Sequence, residues 1–204
     1  MQVRALLAAA IPVAAAAFVA FGTMPAPSAS GAPGAYTIEG DHAYVIWRIK
    51  HMDVGQSYGR FDKVSGTITF DEADLAASSV VIQIDPASVS TGSQKRDDHL
   101  KSPDFFNVAQ FPAMSFKSTS VKKVDDTHFD VAGDLTMHGV TNPVTIRMEK
   151  TGAGKDPEKW GGKSRIGFEG GLIVQRSKWG MTTPIGPGST SDDVHMTIAV
   201  EALK

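Results

Sequence analysis

Cysteine is absent from all 204 residues. That excludes disulfides, thiolate metal centres, a cysteine nucleophile and a lipid anchor on an N-terminal Cys. An excess of either charge is lacking too: 20 Lys and Arg stand against 22 Asp and Glu, a net charge of −2. The basic residues are scattered among acids, so no stripe offers itself to a phosphate backbone, and no nucleic-acid partner is expected. Catalytic signatures are missing: there is no GxSxG elbow, phosphate-binding loop, GxGxxG turn or HExxH pair. The six histidines, His42, His51, His99, His128, His138 and His195, show no close ligand spacing. Asp97, Asp98 and His99 are consecutive, so their side chains diverge instead of converging on one ion. "GSTSDD" (Gly188–Asp193) has the composition of a calcium loop without its ordered spacing. No metal and no catalytic residue are expected.

Long apolar runs are confined to the start of the chain. Arg4 is the only charge among the first thirty residues, and Ala5 to Phe21 is almost wholly Ala, Val, Leu, Ile and Phe. "GTMPAPSASGAPGA" then supplies small residues and prolines. This layout is that of a secretory signal peptide over residues 1–30, cleaved after Ser30 or Ser28. The apolar run sits at the short limit for a membrane span and Pro12 interrupts it. Residues 31–35 are expected to be a flexible mature N-terminus, and 36–204 one domain. Secretion without cysteine points to a bacterial periplasm.

The rest is dominated by period-two patterns, each with one apolar and one wet face, as half-buried strands require. "HAYVIWRIKHM" (42–52) places Ala43, Val45, Trp47 and Ile49 together. "VSGTITF" (64–70) gives Val64, Ile68 and Phe70, and "VVIQID" (80–85) gives Val80, Ile82 and Ile84. "AMSFKS" gives Met114 and Phe116; "HFDVAGDLTM" gives Phe129, Val131, Leu135 and Met137. "PVTIRME" gives Val144, Ile146 and Met148. "GFEGGLIVQR" contributes Phe168 and Leu172; "DVHMTIAVE" contributes Val194, Met196, Ile198 and Val200. "MHGVTNP" reads as a tight hairpin connection, with Gly139 free to take positive φ. "DEADLAASS" reads as a polar turn and "GAGKDPEKWGGKS" (152–164) as a long hydrophilic loop. Many one-faced antiparallel strands fit a sandwich or a barrel. The interior of an eight-stranded barrel is either filled by side chains or holds one slender ligand. Met114, Met137, Met148 and Met196 fall on the inward face, and methionine suits both a pliable wall and a filled gap.

Only residues 92–107 break the strand rhythm. The spacing predicts a short helix from Ser93 to Leu100 and a second helical turn from Ser102, with Pro103 first. Lys95 and His99 share one face of that helix, Arg96 and Leu100 another. Phe105, Phe106 and Val108 supply the apolar contacts that hold it down. Arg176 follows an apolar strand, where it either meets an acidic ligand headgroup or pairs with a carboxylate that locks the fold.

Four segments resemble the YceI-like family of lipid- and polyisoprenoid-binding proteins. They are "YTIEGDHAYVIWRIKHM", "RDDHLKSPDFFNVAQFPAMSFKS", "GDLTMHGVTNPV" and "GFEGGLIVQRSKWGM". Two positions depart from the family pattern: Ala43 stands where Ser is expected and the bulkier Trp47 where Phe is commoner, which reshapes any cavity. The resemblance implies an all-β fold, an extended eight-stranded antiparallel lipocalin-like barrel with a short helical segment near residues 93–107. It implies a long-chain apolar ligand inside, such as a polyisoprenoid, a quinone-like compound or a fatty amide or acid, with no catalysis and no further cofactor. The inward residues named above, apart from Ala43, Val64, Val194 and Val200, would line the site, with Arg96, His99, Phe105, Phe106 and Arg176 as rim and lid. Implied partners are the ligand, a transient contact with a membrane or a membrane redox or lipid enzyme, and a second copy in a homodimer. Two other readings stay open: an enzyme acting on a bound lipid, and a solid barrel serving structure or interaction.

Overall fold

A computed structural model describes residues 34–204. The expected signal peptide lies outside the described residues, as do 31–33. Ten strands alternate with one α-helix: β1 Ala35–His51, β2 Gly55–Phe61, β3 Val64–Thr69, β4 Ser79–Ile84, β5 Val89–Ser90, α1 Gln94–Lys101, β6 Met114–Lys123, β7 His128–Met137, β8 Val140–Lys155, β9 Ser164–Gln175 and β10 Thr190–Leu203. The sheet order is β10-β9-β8-β7-β6-β4-β3-β1-β2-β5, and β10 pairs with β1 to close it. Every pairing is antiparallel. β2 runs into β3 and β4 into β5 along the same two sides, so the closed barrel has eight sides.

The long strand β1 makes this possible. Its register against β10 shifts between Ile38 and Ala43. Below that irregularity Ala35–Thr37 pair with β3; above it Val45–His51 pair with β2. A bulge of this kind bends a strand and raises its twist, which a closing sheet needs. Alternation then sends one face inward everywhere. Val45, Ile68, Phe129, Ile166, Val200 and Ala202 are among the least exposed residues.

Three local expectations resolve differently in the structure. The Gly152–Lys155 stretch belongs to β8, pairing with Ser164–Gly167, so the loop shrinks to residues 156–163. Cross-strand pairing outweighs the poor strand preference of glycine there. The helix is Gln94–Lys101 with Ser93 as N-cap, its backbone extended and its hydroxyl making no cap bond. The second helical turn does not form. Ser102 takes an extended conformation (φ −71°, ψ 171°), because a following proline disfavours the helical region. Residues 102–111 instead form successive turns, with Phe106 N–H donating to Leu100 O at 2.9 Å and Asn107 N–H to Ser102 O at 2.9 Å. The β7–β8 hairpin turns on His138 (φ 50°) and Gly139 (φ 74°), the double positive φ of a two-residue turn whose twist matches its strands.

The lower end, opposite α1, is tied by Arg165 on β9. Its guanidinium holds Asp156 through two parallel bonds, Nε to Oδ1 at 2.8 Å and Nη2 to Oδ2 at 3.1 Å. Nη1 also donates to Glu39 of β1 and Glu201 of β10. Glu39, His42 and Glu201 present their ligand atoms within 4.8 Å of one another, but the guanidinium already occupies the two carboxylates. Arg165 holds the carboxyls of Glu39 and Asp156 below their usual range. Groups shifted this way stabilise the fold above their unfolded pKa and cease to do so as pH falls through the folded value. The melting temperature is therefore expected to decline as pH drops below about 4.5, the usual value for Glu39. Arg165→Gln should lower the melting temperature at pH 7 and flatten that acid limb; thermal melts from pH 7 to 3 check both.

Candidate functional site

At the upper end the strands do not close the barrel alone. β5 covers only Arg60 and Phe61 of β2, leaving the rest of β2 without a neighbour on that side. Residues 94–111 lie over the gap. Leu100 and Phe106 pack on the core, and the Phe106 ring meets Phe61 edge-to-face at 5.4 Å. Beneath this cover is a chamber of about 290 Å³. Trp47, Ile49 and His51 of β1 form one wall; Ser57 and Phe61 come from β2. Val194 and Met196 of β10 flank that wall, Met114, Met137 and Val174 come from β6, β7 and β9, and Arg176, Met181 and Thr190 from the turn after β9 and the start of β10. Arg96, His99, Leu100, Phe105 and Phe106 complete it from the cover.

A second, smaller cavity of about 50 Å³ lies lower in the barrel. Ile68, Phe70, Val80, Ile82, Phe116, Phe129, Val131, Ile146, Met148, Phe168 and Ile198 line it. Phe70 packs edge-to-face on Phe129 (5.3 Å) and Phe168 (5.2 Å), filling most of this end. The two cavities share no lining residue. Val45, Ile84 and Leu135 are buried and line neither; they lie in the packed layer between. Val144 and Leu172 are half-buried and line an outer groove instead. The reason is a split: β8 and β9 stop pairing beyond Arg147 and Gly171. Trp179 seals that split. Its indole Nε1–H donates to Leu135 O at 3.0 Å, and His138 Nδ1–H donates to the Trp179 carbonyl at 3.0 Å. Asn142 Nδ2–H reaches Lys178 O at 2.9 Å.

The charged cluster on α1 is internally wired. Asp97 Oδ1 accepts from Thr91 N–H at 2.9 Å and Thr91 Oγ1–H at 2.5 Å. Arg96 donates Nε–H to Thr91 Oγ1 at 2.8 Å and Nη2–H to Thr91 O at 3.0 Å. His99 pairs with Asp104 at 3.0 Å, and its ring meets Phe105 edge-on at 5.0 Å. Arg176 does not make the carboxylate pair that was one of its two expected arrangements. It is 3% exposed and forms no ion pair among the described residues. Nε donates to Ser191 O (3.1 Å), Nη1 to Met181 O (3.0 Å), and Nη2 to Pro184 O (3.1 Å) and Thr190 Oγ1 (2.9 Å). Backbone carbonyls take the place of a carboxylate, and the loop 181–190 wraps the guanidinium. Burial pushes its pKa down.

Several lining residues carried no periodic signal. Met181 and Thr190 sit in loop or strand-end sequence, and Leu100 shows as a lone apolar residue on a polar helix. Phe61 and Ser57 belong to "GQSYGRF", whose glycines mask the alternation. One of them makes room for an aromatic ring. Gly59 lies opposite Trp47 in the register, and a Cβ there would come within 2.2 Å of the indole. The buried Trp47 Nε1–H has no hydrogen-bond partner among the described residues.

The model of the YceI-like domain matches residues 36–202. Protein YceI of Escherichia coli O157:H7 is 44% identical over 166 residues, covering 81% of this chain and 84% of that protein. The same identity and coverage hold for Protein YceI of Salmonella newport. Among solved structures, the Campylobacter jejuni YCEI protein is similar at a TM-score of 0.67 and 33% identity, covering 76% of this chain and 89% of that one. Burkholderia cenocepacia BcnA shares the fold at a TM-score of 0.70 and 24% identity, over 81% of this chain and 99% of its own. A polyisoprenoid-binding domain from Saccharophagus degradans shares the fold at a TM-score of 0.63 and 16% identity, over 82% of this chain and 97% of its own.

The contact between Gly59 and Trp47 makes the chamber sensitive to one methyl group. Gly59→Ala is expected to force the indole toward the cavity, cost about 1–3 kcal/mol as overpacking does, and weaken binding of an apolar fluorescent probe. Gly55→Ala, where an added Cβ meets nothing within 4 Å, should do neither. Denaturant melts and probe titrations compare the two.

Proposed function

The chain belongs to the YceI-like family, and from that premise we propose that it carries or sequesters one long-chain apolar compound in the periplasm. The reading rests on the chamber. It approaches the roughly 300 Å³ at which ordinary ligand pockets begin, its wall is mostly apolar, and Met114, Met137, Met181 and Met196 all line it. Methionines re-pack easily around a flexible hydrocarbon. Each buried CH₂ would contribute about 0.8 kcal/mol before the cost of ordering the chain. A tail longer than the chamber would have to part the layer of Val45, Ile84 and Leu135 to reach the lower cavity. The fold shared with a polyisoprenoid-binding domain supports a prenyl-like or other long-chain ligand.

A binding role is favoured over catalysis by the chamber's own chemistry. None of its lining residues is a carboxylate, and its hydroxyls, Ser57 and Thr190, have no adjacent general base in the hydrogen bonds they make. The leader-like first thirty residues support export. The hairpin tip beside His51 exposes Met52 (51%) and Val54 (92%), an apolar tip suited to brief contact with a membrane or a membrane enzyme during delivery. A homodimer is compatible with this arrangement.

The test is to purify the protein from its native compartment, extract it with organic solvent and run mass spectrometry on the extract. A long-chain compound at about one per protein is expected; a repeated blank, with no uptake of apolar probes, would mean a solid barrel. Met137→Asp should abolish retention of that compound. Met196→Asp, on a half-buried residue of the same chamber, should do so while circular dichroism stays that of the folded barrel.

A further inference from the structure

The chamber's polar groups are lopsided. Arg96, Arg176, His51 and His99 line it, with no Asp or Glu among the lining residues. Six arginines fall within the described residues. Arg60, Arg147 and Arg165 each pair with a carboxylate, and Arg48 bonds the His195 ring at 3.2 Å. Arg96 and Arg176 have no carboxylate partner among the described residues, and these are the two that line the cavity. A cation withdrawn from water without a counter-charge is costly. Arg176, at 3% exposure, bears that cost with neutral acceptors as its direct partners, and the Asp192 carboxylate, bound to Ser177, offsets it only from a distance. Four of its five N–H groups are engaged by those acceptors, leaving one on Nη1.

Arg96 is fixed before any ligand arrives. Thr91 holds one edge of its guanidinium by two bonds, and Asp97 holds Thr91 by two more. The Nη1 amino group stays free, as does one Nη2 hydrogen. The Phe105 ring lies between Arg176 and the helical cover, 5.9 Å from the Arg176 guanidinium and 5.0 Å from the His99 ring. The cavity thus has a cationic side under the helical cover and an apolar side of Trp47, Phe61, Met114 and Met137.

We propose that the chamber selects single-chain amphiphiles with an anionic head, a carboxylate or a phosphate, paired with Arg96 and Arg176 under the cover while the tail lies along the apolar wall. This rests on the carrier reading and names its ligand class. The head supplies the directly bonded counter-charge that neither arginine has among the described residues. Charge-assisted bonds of this kind are stronger than neutral ones, so a head of the right charge discriminates where a hydrocarbon tail cannot.

The experiment uses the purified protein stripped of endogenous lipid and titrates dodecanoic acid, dodecyl phosphate, dodecanol and inorganic phosphate at pH 7. The acid and the alkyl phosphate are expected to bind tenfold or more tighter than the alcohol, since bonds to charged groups contribute about 1.5–3 kcal/mol. That preference should shrink as salt rises. Arg96→Gln should weaken the acid about tenfold and the alcohol less than threefold, at about 1.4 kcal/mol per factor of ten. Equal binding of acid and alcohol, or equal weakening of both by Arg96→Gln, overturns the proposal. Inorganic phosphate binding as tightly as dodecyl phosphate also overturns it, by showing a free-anion site. Failure of all three dodecyl compounds would instead sink the carrier reading on which it rests.

Discussion

The pairing of β1 with β10 is the constraint on which the rest depends. It joins the two ends of the sheet from Thr37↔Leu203 up to His51↔Thr190, and without it the sheet has two open edges and no inside. Because side chains alternate with a period of two, a slip of one residue would turn every inward position outward. Val45, Trp47 and Ile49 face the interior only because they sit opposite Ile198, Met196 and Val194. The irregularity between Ile38 and Ala43 lets this one strand serve two neighbours, β3 below and β2 above.

The same strand geometry explains why the two ends differ. Below, pairing is continuous, aromatic rings fill the space and Arg165 ties β1, β9 and β10 together. Above, the ladder fails at two places, beyond β2 and between β8 and β9. Each gap is covered by side chains instead of strand. Phe106 and Leu100 close one; Trp179, held by the Leu135 carbonyl, closes the other. Side-chain cover packs less continuously than a paired strand, and the larger cavity lies at this end. The cover is also where the cations are, so the chamber's shape and its electrostatic character arise from the same two gaps.

Much of this was legible in the chain. The inward faces of β1, β3, β4, β6 and β7 follow from alternation, and the tight turn at Gly139 from its dipeptide. The helix was visible as the one stretch without β-branched residues. Other features had no local signal. Gly152–Lys155 reads as loop and becomes strand through pairing alone. Val144 and Leu172 have the right phase and pack on the core, yet they border an outer groove instead of either cavity, because phase says nothing about where a neighbouring strand ends. Val45, Ile84 and Leu135 also have the right phase, yet they fill a packed layer between two cavities. Phe61 and Met181 line the chamber from a glycine-rich strand and an aperiodic loop.

Local residue order was enough to specify an all-β chain with one apolar face per strand, a short charged helix held by aromatics, and the absence of cysteine chemistry. These follow from periodicity and composition, which act over a few residues and need no partner. Which inward residues border space and which fill it was settled by long-range packing. That depends on where neighbouring strands stop pairing, as β8 and β9 do beyond Arg147 and Gly171. The folded molecule also puts carbonyls rather than a carboxylate on Arg176, because the loop 181–190 that joins β9 to β10 wraps the guanidinium. Charge balance within a cavity is a property of distant residues brought together, and no stretch of chain carries it alone.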